Sequence, residues 1–199
     1  MGLDSKDDIM EATYKALSKH GYADLSIQKI ADESEKGKSL IYYHYDDKQD
    51  LILAFLDSMK NHLEARYSEL SDLPAEEALD QLLDMVLGIE NEEDWEFRTA
   101  LLEIRAQLPY NPDLADKFRE IDELSMELVS DITRRLGAND PEKKAQILVS
   151  LIEGAVNRKI ALQDRKGLKK LKSTIKEVAE LEISESKKGK ESLAGNEEL

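Results

Sequence analysis

Gly21-Tyr22-Ala23-Asp24-Leu25-Ser26-Ile27-Gln28-Lys29-Ile30-Ala31, then Lys38-Ser39-Leu40-Ile41-Tyr42-Tyr43-His44-Tyr45, then Lys48-Gln49-Asp50-Leu51 are the three pieces that decide how the chain is read. Gly21 supplies a helix stop. Ser26 stands where a side-chain oxygen caps a helix start, and Ile27, Ile30 and Ala31 follow as an inward face. A short turn near Ser34-Glu35-Lys36 leads to a third helix of about 37–43. Asp47, with Asp50 three residues later, opens a long fourth helix of about 48–70. Upstream, Ile9, Ala12, Thr13, Ala16 and Leu17 form the inner stripe of a first helix of about 7–20, and Ser5 with Asp8 has capping-box spacing. The product is a compact three-helix unit whose third helix is too short to stabilise itself. Four consecutive residues, Tyr42 to Tyr45, cannot share one helix face, so some must point to solvent. A short helix with one free face fits a DNA major groove.

Working outward, no stretch sustains period-2 alternation, and helical spacing recurs throughout, so the fold class is all-α with about nine helices. The later helices are expected at about 75–89, 93–108, 112–136, 141–164 and 168–183. Pro74, Pro112 and Pro141 sit where a helix begins, and Pro109 marks the break Leu108-Pro109-Tyr110-Asn111. After Ser184 the apolar periodicity is lost. The expected organisation is a helix-turn-helix domain over 1–47, a larger helical domain over 48–183 to which the resemblance described below assigns effector binding and dimerisation, and a disordered tail over 184–199.

Composition narrows the function by exclusion. The chain has no cysteine, so disulfides and thiolate metal sites are ruled out. His20, His44 and His62 fit no metal-ligand spacing. There is no glycine-rich phosphate loop and no Gly-x-Ser-x-Gly or His-Glu-x-x-His, which argues against an enzyme, and no cofactor is expected. The N-terminus lacks an apolar signal core and no long uncharged apolar run follows, so a cytoplasmic protein without membrane partners is expected. The net charge of −15 looks wrong for a DNA binder. Over residues 1–50, 7 lysines and no arginine stand against 11 acids, a net of −4. Placement of a few cations must therefore carry any affinity for DNA. Acidity of this degree also fits a salt-rich cytoplasm, although 20 lysines is generous for one.

The quoted stretch resembles the DNA-binding domain of TetR-type regulators over about residues 9–55. The resemblance lies in Gly21-Tyr22, Ser26, Ile30-Ala31, Tyr42-Tyr43-His44-Tyr45 and Lys48-Gln49-Asp50-Leu51. Glu35-Lys36 replaces the family's usual Gly-Val, so Lys36 must snorkel or the turn must differ. Leu40 stands where a threonine is common; it cannot bond a phosphate but can touch a thymine methyl. The resemblance implies phosphate contacts by Tyr42, Lys48 and Ser26, with Gln28 in the same surface. It implies approach to base edges by Lys38, Ser39, Leu40, Tyr43 and His44, with Ile41 and Tyr45 turned inward. Lys48 reads as a phosphate contact at the start of helix four, or alternatively as an ion pair with Asp46 or Asp47.

The same resemblance implies a homodimer on operator DNA whose affinity is set by a small-molecule effector, most simply as a repressor. The segment Ile147 to Val156 is apolar almost all round, and Gly154-Ala155 permits close helix approach. Leu148, Leu151, Ile152, Ala155, Leu171, Ile175 and Val178 are the expected dimer contacts, against plain intramolecular packing. Phe55, Met59, Met85, Trp95, Phe97, Tyr110, Phe118 and Met126 are candidate effector liners, against plain core. Trp95, flanked by Glu93, Asp94 and Glu96, reads equally as a residue near the surface. Glu103, Arg105 and Arg98 read as surface ion pairs or as charge in a pocket. The competing function is a protein-interaction module with a degenerate helix-turn-helix.

Overall fold

The computed structural model describes residues 2–34, 37–87, 92–166 and 170–178, and every regular element among them is helical. In order they are α1 (Gly2–His20), α2 (Ile27–Asp32), α3 (Lys38–His44), α4 (Lys48–Ser71), α5 (Ala75–Leu87) and α6 (Glu92–Arg105). A 3-10 turn (Leu108–Tyr110), α7 (Pro112–Arg135), α8 (Pro141–Ala161) and α9 (170–178) follow. Expectations that fall on Lys36 and on the tail lie outside the described residues.

The helix ends follow local chemistry. Gly21 takes φ +69° and its N–H bonds the Leu17 carbonyl at 2.9 Å, closing α1 in the left-handed conformation glycine tolerates best. Ser26 Oγ accepts the Lys29 N–H at 3.3 Å. At α4, Asp47 Oδ1 accepts the Asp50 N–H at 2.9 Å and Asp50 Oδ2 accepts the Asp46 N–H at 3.1 Å, a reciprocal cap. Asn111 and Asp140 cap the Leu114 and Lys143 amides, with Pro112 and Pro141 at the first helical positions.

Two expectations are corrected. Ser5 is not a cap, because α1 runs back to Gly2 and leaves Ser5 inside the helix. The sixth helix ends at Arg105 rather than 108, since Pro109 has no N–H to continue the ladder and the chain tightens into the 3-10 turn.

The chain divides into two compact units, Met1–His62 with Ile89–Ile121, and Leu63–Gly88 with Asp122–Leu199. The division falls inside α4 and inside α7. The reason is that α1 packs extensively on α6, which draws α6 into the first unit. That unit's core joins Ile9, Ala16, Leu17, Ile30, Ile41, Leu51, Ile52, Ala100 and Ile104. The second unit buries Leu82, Leu83, Leu128, Ile132, Leu148, Ile152 and Ile175. Within it Arg135 donates to the carbonyls of Ser71 and Leu73 at 3.1 and 2.7 Å, a cation on the negative end of α4.

Candidate nucleic-acid interface

α3 is held by two anchors. Ile41 is fully buried and Tyr45 nearly so, both in the first unit's core. Leu40 is partly buried against that core. The intervening residues turn outward: Tyr42 is 51% exposed and Tyr43 81% exposed. Lys38 and Ser39 are exposed as well, and Lys38 Nζ lies 5.5 Å from the Tyr42 ring centroid. His44 is half-buried, with Nε2 3.3 Å from Ser5 Oγ and its ring edge-on to Tyr43. The expected inward and outward division of the aromatic run is therefore what the helix adopts.

On α2, exposed Gln28 donates to Asp32 at 2.8 Å, the neighbour one turn on. Ser26 Oγ, though engaged as the helix cap, keeps a hydroxyl hydrogen to donate.

Lys48 forms neither ion pair that its flanking acids suggest. Its Nζ donates to the Tyr22 carbonyl at 2.8 Å and sits 4.2 Å from the Tyr22 ring centroid. Burial presses the ammonium below its usual range, and the Glu103 and Asp24 carboxylates oppose that shift. Burial likewise pushes the Tyr22 hydroxyl up.

Glu103 is the functional-site neighbour that sequence reasoning misplaced. It is neither a pocket charge nor a surface ion pair with Arg105: its Oε2 accepts the Tyr22 and Ala23 amides at 2.7 and 3.1 Å. Arg105 instead lies over the Phe118 ring at 4.9 Å, and Arg98 is partly buried, which lowers its pKa while Asp94 and Tyr14 oppose that shift. A carboxylate 80 residues away from the turn it binds leaves no local signal.

The effector candidates are divided between the two units. Phe55 and Phe118 are buried in the first unit's core, with Met59 and Phe97 partly buried against it. Phe97 packs on the Tyr14 and Phe55 rings at 4.5 and 6.0 Å. Trp95 is 2% exposed, not near the surface, and Tyr110 is 85% exposed on the 3-10 turn. Met85 is partly buried in the second unit. Met126 alone of the eight lines the cavity described in that unit, about 350 Å³ bounded by Tyr67, Glu127, Ser130, Arg134 and Glu142 as well.

The dimer candidates also divide. Leu148, Ile152 and Ile175 are buried within the chain itself. Ala155, Leu171 and Val178 are partly buried. Leu151 is exposed, and so are Ile147 before it and Gly154 after it, a stripe at helical spacing along α8. Open space surrounds Gly154.

Among the described residues no group of His, Asp or Glu side chains gathers as a metal site, and no helix is long and apolar enough to cross a membrane.

Residues 9–55 match the family model for bacterial regulatory proteins of the tetR family, and residues 73–180 match the tetracyclin repressor-like C-terminal domain. A TetR transcription regulator from Haloarcula marismortui is 35% identical, with a TM-score of 0.79 over 89% of this chain and 97% of that one. The HTH-type transcriptional regulator TtgR of Pseudomonas putida is 28% identical over 81% of this chain and 82% of its own. The HTH-type transcriptional repressor AcnR of Corynebacterium efficiens is 23% identical over 59% of this chain and 58% of its own. Three of the curated relatives are spanned over only 28, 58 and 53% of their length.

Proposed function

Because the chain belongs to the TetR family of regulatory proteins, we propose that it is a transcriptional regulator that reads operator DNA through α3, as a homodimer, under control of a small-molecule effector. The exposure pattern of α3 carries the reading. Ile41 and Tyr45 fix the helix, which leaves Lys38, Ser39, Tyr42 and Tyr43 for the duplex. We assign base-edge approach to Lys38, Ser39, Leu40, Tyr43 and His44. Ser26, Gln28, Tyr42 and Lys48 take the backbone. Phosphate contacts set register, and base contacts set sequence preference.

Two reading heads on two half-sites require a pairing surface. The α8 stripe of Ile147, Leu151 and Gly154 supports that role better than Leu148 or Ile152, which the chain's own core consumes. The effector is assigned to the C-terminal helices, where Met126 and Arg134 line a cavity. It acts by binding one arrangement of the dimer more tightly than the other, which shifts affinity for DNA by the same coupling free energy. The repressor sense is supported by the naming of AcnR, and the placement is cytoplasmic.

The test is duplex binding to the chain's own upstream DNA, followed against salt. Affinity that falls as salt rises supports lysine–phosphate contacts. Absence of duplex binding at every salt concentration, with the chain folded and dimeric, overturns the regulator in favour of a protein-interaction module.

A further inference from the structure

Tyr22 is where three elements of the first unit meet. Its backbone N–H donates to Glu103 of α6 at 2.7 Å, and the Ala23 N–H shares the same oxygen at 3.1 Å. Its carbonyl accepts from Lys48 Nζ, at the first residue of α4, at 2.8 Å, and its ring lies against that ammonium. The turn between α1 and α2 is shaped for the carboxylate. Successive amides beside a left-handed residue form a concavity that suits an anion, and Gly21 supplies that residue at φ +69°. A Cβ at Gly21 would stand 3.1 and 3.2 Å from the two Glu103 oxygens, so the absent side chain is also the space the carboxylate uses.

We propose that Glu103 is a positioning residue for duplex binding: by bonding the Tyr22 and Ala23 amides it fixes the turn that seats the Lys48 ammonium at the start of α4. The inference rests on the duplex-binding reading above. A lysine is a compact charge on a flexible four-carbon stem, so where it points depends on what it rests against. Tyr22 supplies that rest and uses one of the three ammonium donors, which leaves two for a phosphate. Glu103 touches no DNA in this scheme. It acts by removing freedom from the turn, and its negative charge also favours keeping Lys48 protonated despite partial burial.

The experiment uses the full chain and four variants: Glu103→Ala, Glu103→Gln, Lys48→Met and the double Glu103→Ala/Lys48→Met. Three quantities are read: affinity for the duplex fragment upstream of the chain's own gene, melting temperature, and hydrogen exchange at the Tyr22 and Ala23 amides without DNA. Loss of a charge-assisted bond predicts that Glu103→Ala weakens duplex affinity about tenfold or more and accelerates exchange at both amides. Glu103→Gln keeps one acceptor oxygen and recovers part of the affinity. The double variant loses no more than the worse single one, because both changes act through the same seat. A merely structural Glu103 predicts additive losses that follow the melting temperature, and that result overturns the proposal. Affinity within about twofold of wild type in both folded Glu103 variants overturns it too, since one charged hydrogen bond should exceed that. Should the alanine variant fail to fold, the isosteric glutamine variant decides by the same criteria. Wild-type protein that binds no duplex while both amides stay protected sinks the regulator reading and the positioning role together. Normal wild-type binding with an unaffected Glu103→Gln and Glu103→Ala sinks the positioning role alone.

Discussion

α3 and α8 both leave large side chains in solvent, and the chemistry of what they expose differs. The seven residues of α3 spend Ile41 on the core and expose Tyr42 and Tyr43, rings that carry a hydroxyl. The 21 residues of α8 bury five apolar side chains and expose Ile147 and Leu151, which carry no polar atom. A hydroxylated aromatic face beside a lysine suits a hydrated, anionic groove. A bare aliphatic stripe suits another apolar surface, and a second copy of the same helix provides one. Exposure alone therefore does not tell the two faces apart, whereas the atoms exposed do, on the function proposed above.

The strongest way to break the comparison is to swap the roles within α3. Ile41→Ala opens a cavity in the first unit's core and should cost about 2–5 kcal/mol, read as a lowered denaturant midpoint, with duplex binding lost alongside. Tyr43→Ala removes a side chain that is 81% exposed. Its stability should stay within about 0.5 kcal/mol of wild type, while its preference among duplex sequences shifts. If both variants lose stability equally, α3 has no free face.

The matching pair on α8 comes next. Leu148→Ala, at a buried position, should lower the chain's own stability by about 2 kcal/mol or more. Leu151→Asp should leave the protomer folded and shift sedimentation toward monomer, because a charge at an apolar pairing surface goes unpaired on association. A Leu151→Asp variant that still sediments as a dimer places the pairing face elsewhere.

A smaller effect tests how the head is held. At Gly21, alanine must adopt φ +69° and meet the Glu103 carboxylate. The cost should be about 1–3 kcal/mol, read in the melting transition, with duplex affinity reduced further than stability explains.

These pairs also show what was legible in the residues. The face of α3 could be read in advance because four consecutive residues, Tyr42 to Tyr45, cannot share one face of a helix. The face of α8 could not. A helix that is apolar almost all round carries no amphipathic signal, and stepping from Leu148 to Ile147 or from Ile152 to Leu151 turns the face by about 100°. Caps at Ser26 and Asp47 are local events and were visible as such. Glu103 was not, since its partners lie about eighty positions away and nothing local distinguishes it from any other acid on an acidic helix. Trp95 misled for the same reason: its charged neighbours describe one face of α6, and the indole occupies the other. Effector liners leave no distinguishing signal in the sequence, because Met and Phe fill a core and line a cavity with the same atoms.

The smallest effect contrasts how two short helical segments are fastened. α3 is pinned by the burial of Ile41 and Tyr45. The described part of α9 buries Ile175 but also ties back to α5 through charge: Lys176 Nζ and Lys172 Nζ meet the two Asp80 oxygens at 2.7 and 3.0 Å, and Lys172 reaches Asp84 at 2.6 Å. Hydrogen bonds from Lys176 and then Lys172 hold the Asp80 carboxyl below its usual range. A carboxyl with a lowered folded pKa stabilises the fold above its ordinary value and loses that contribution as pH falls through the lowered one. Both lysines and the aspartate are substantially open to water, so the contribution should not exceed about 1 kcal/mol. Amide exchange over residues 170–178 should accordingly be faster in Asp80→Asn than in wild type at neutral pH. The two should converge as the pH falls through the lowered Asp80 value, or as salt is raised, while the amides of α3 show no such difference between the two proteins. Equal exchange at neutral pH would mean that Ile175 alone holds the segment, and that α9, like α3, is fastened by burial.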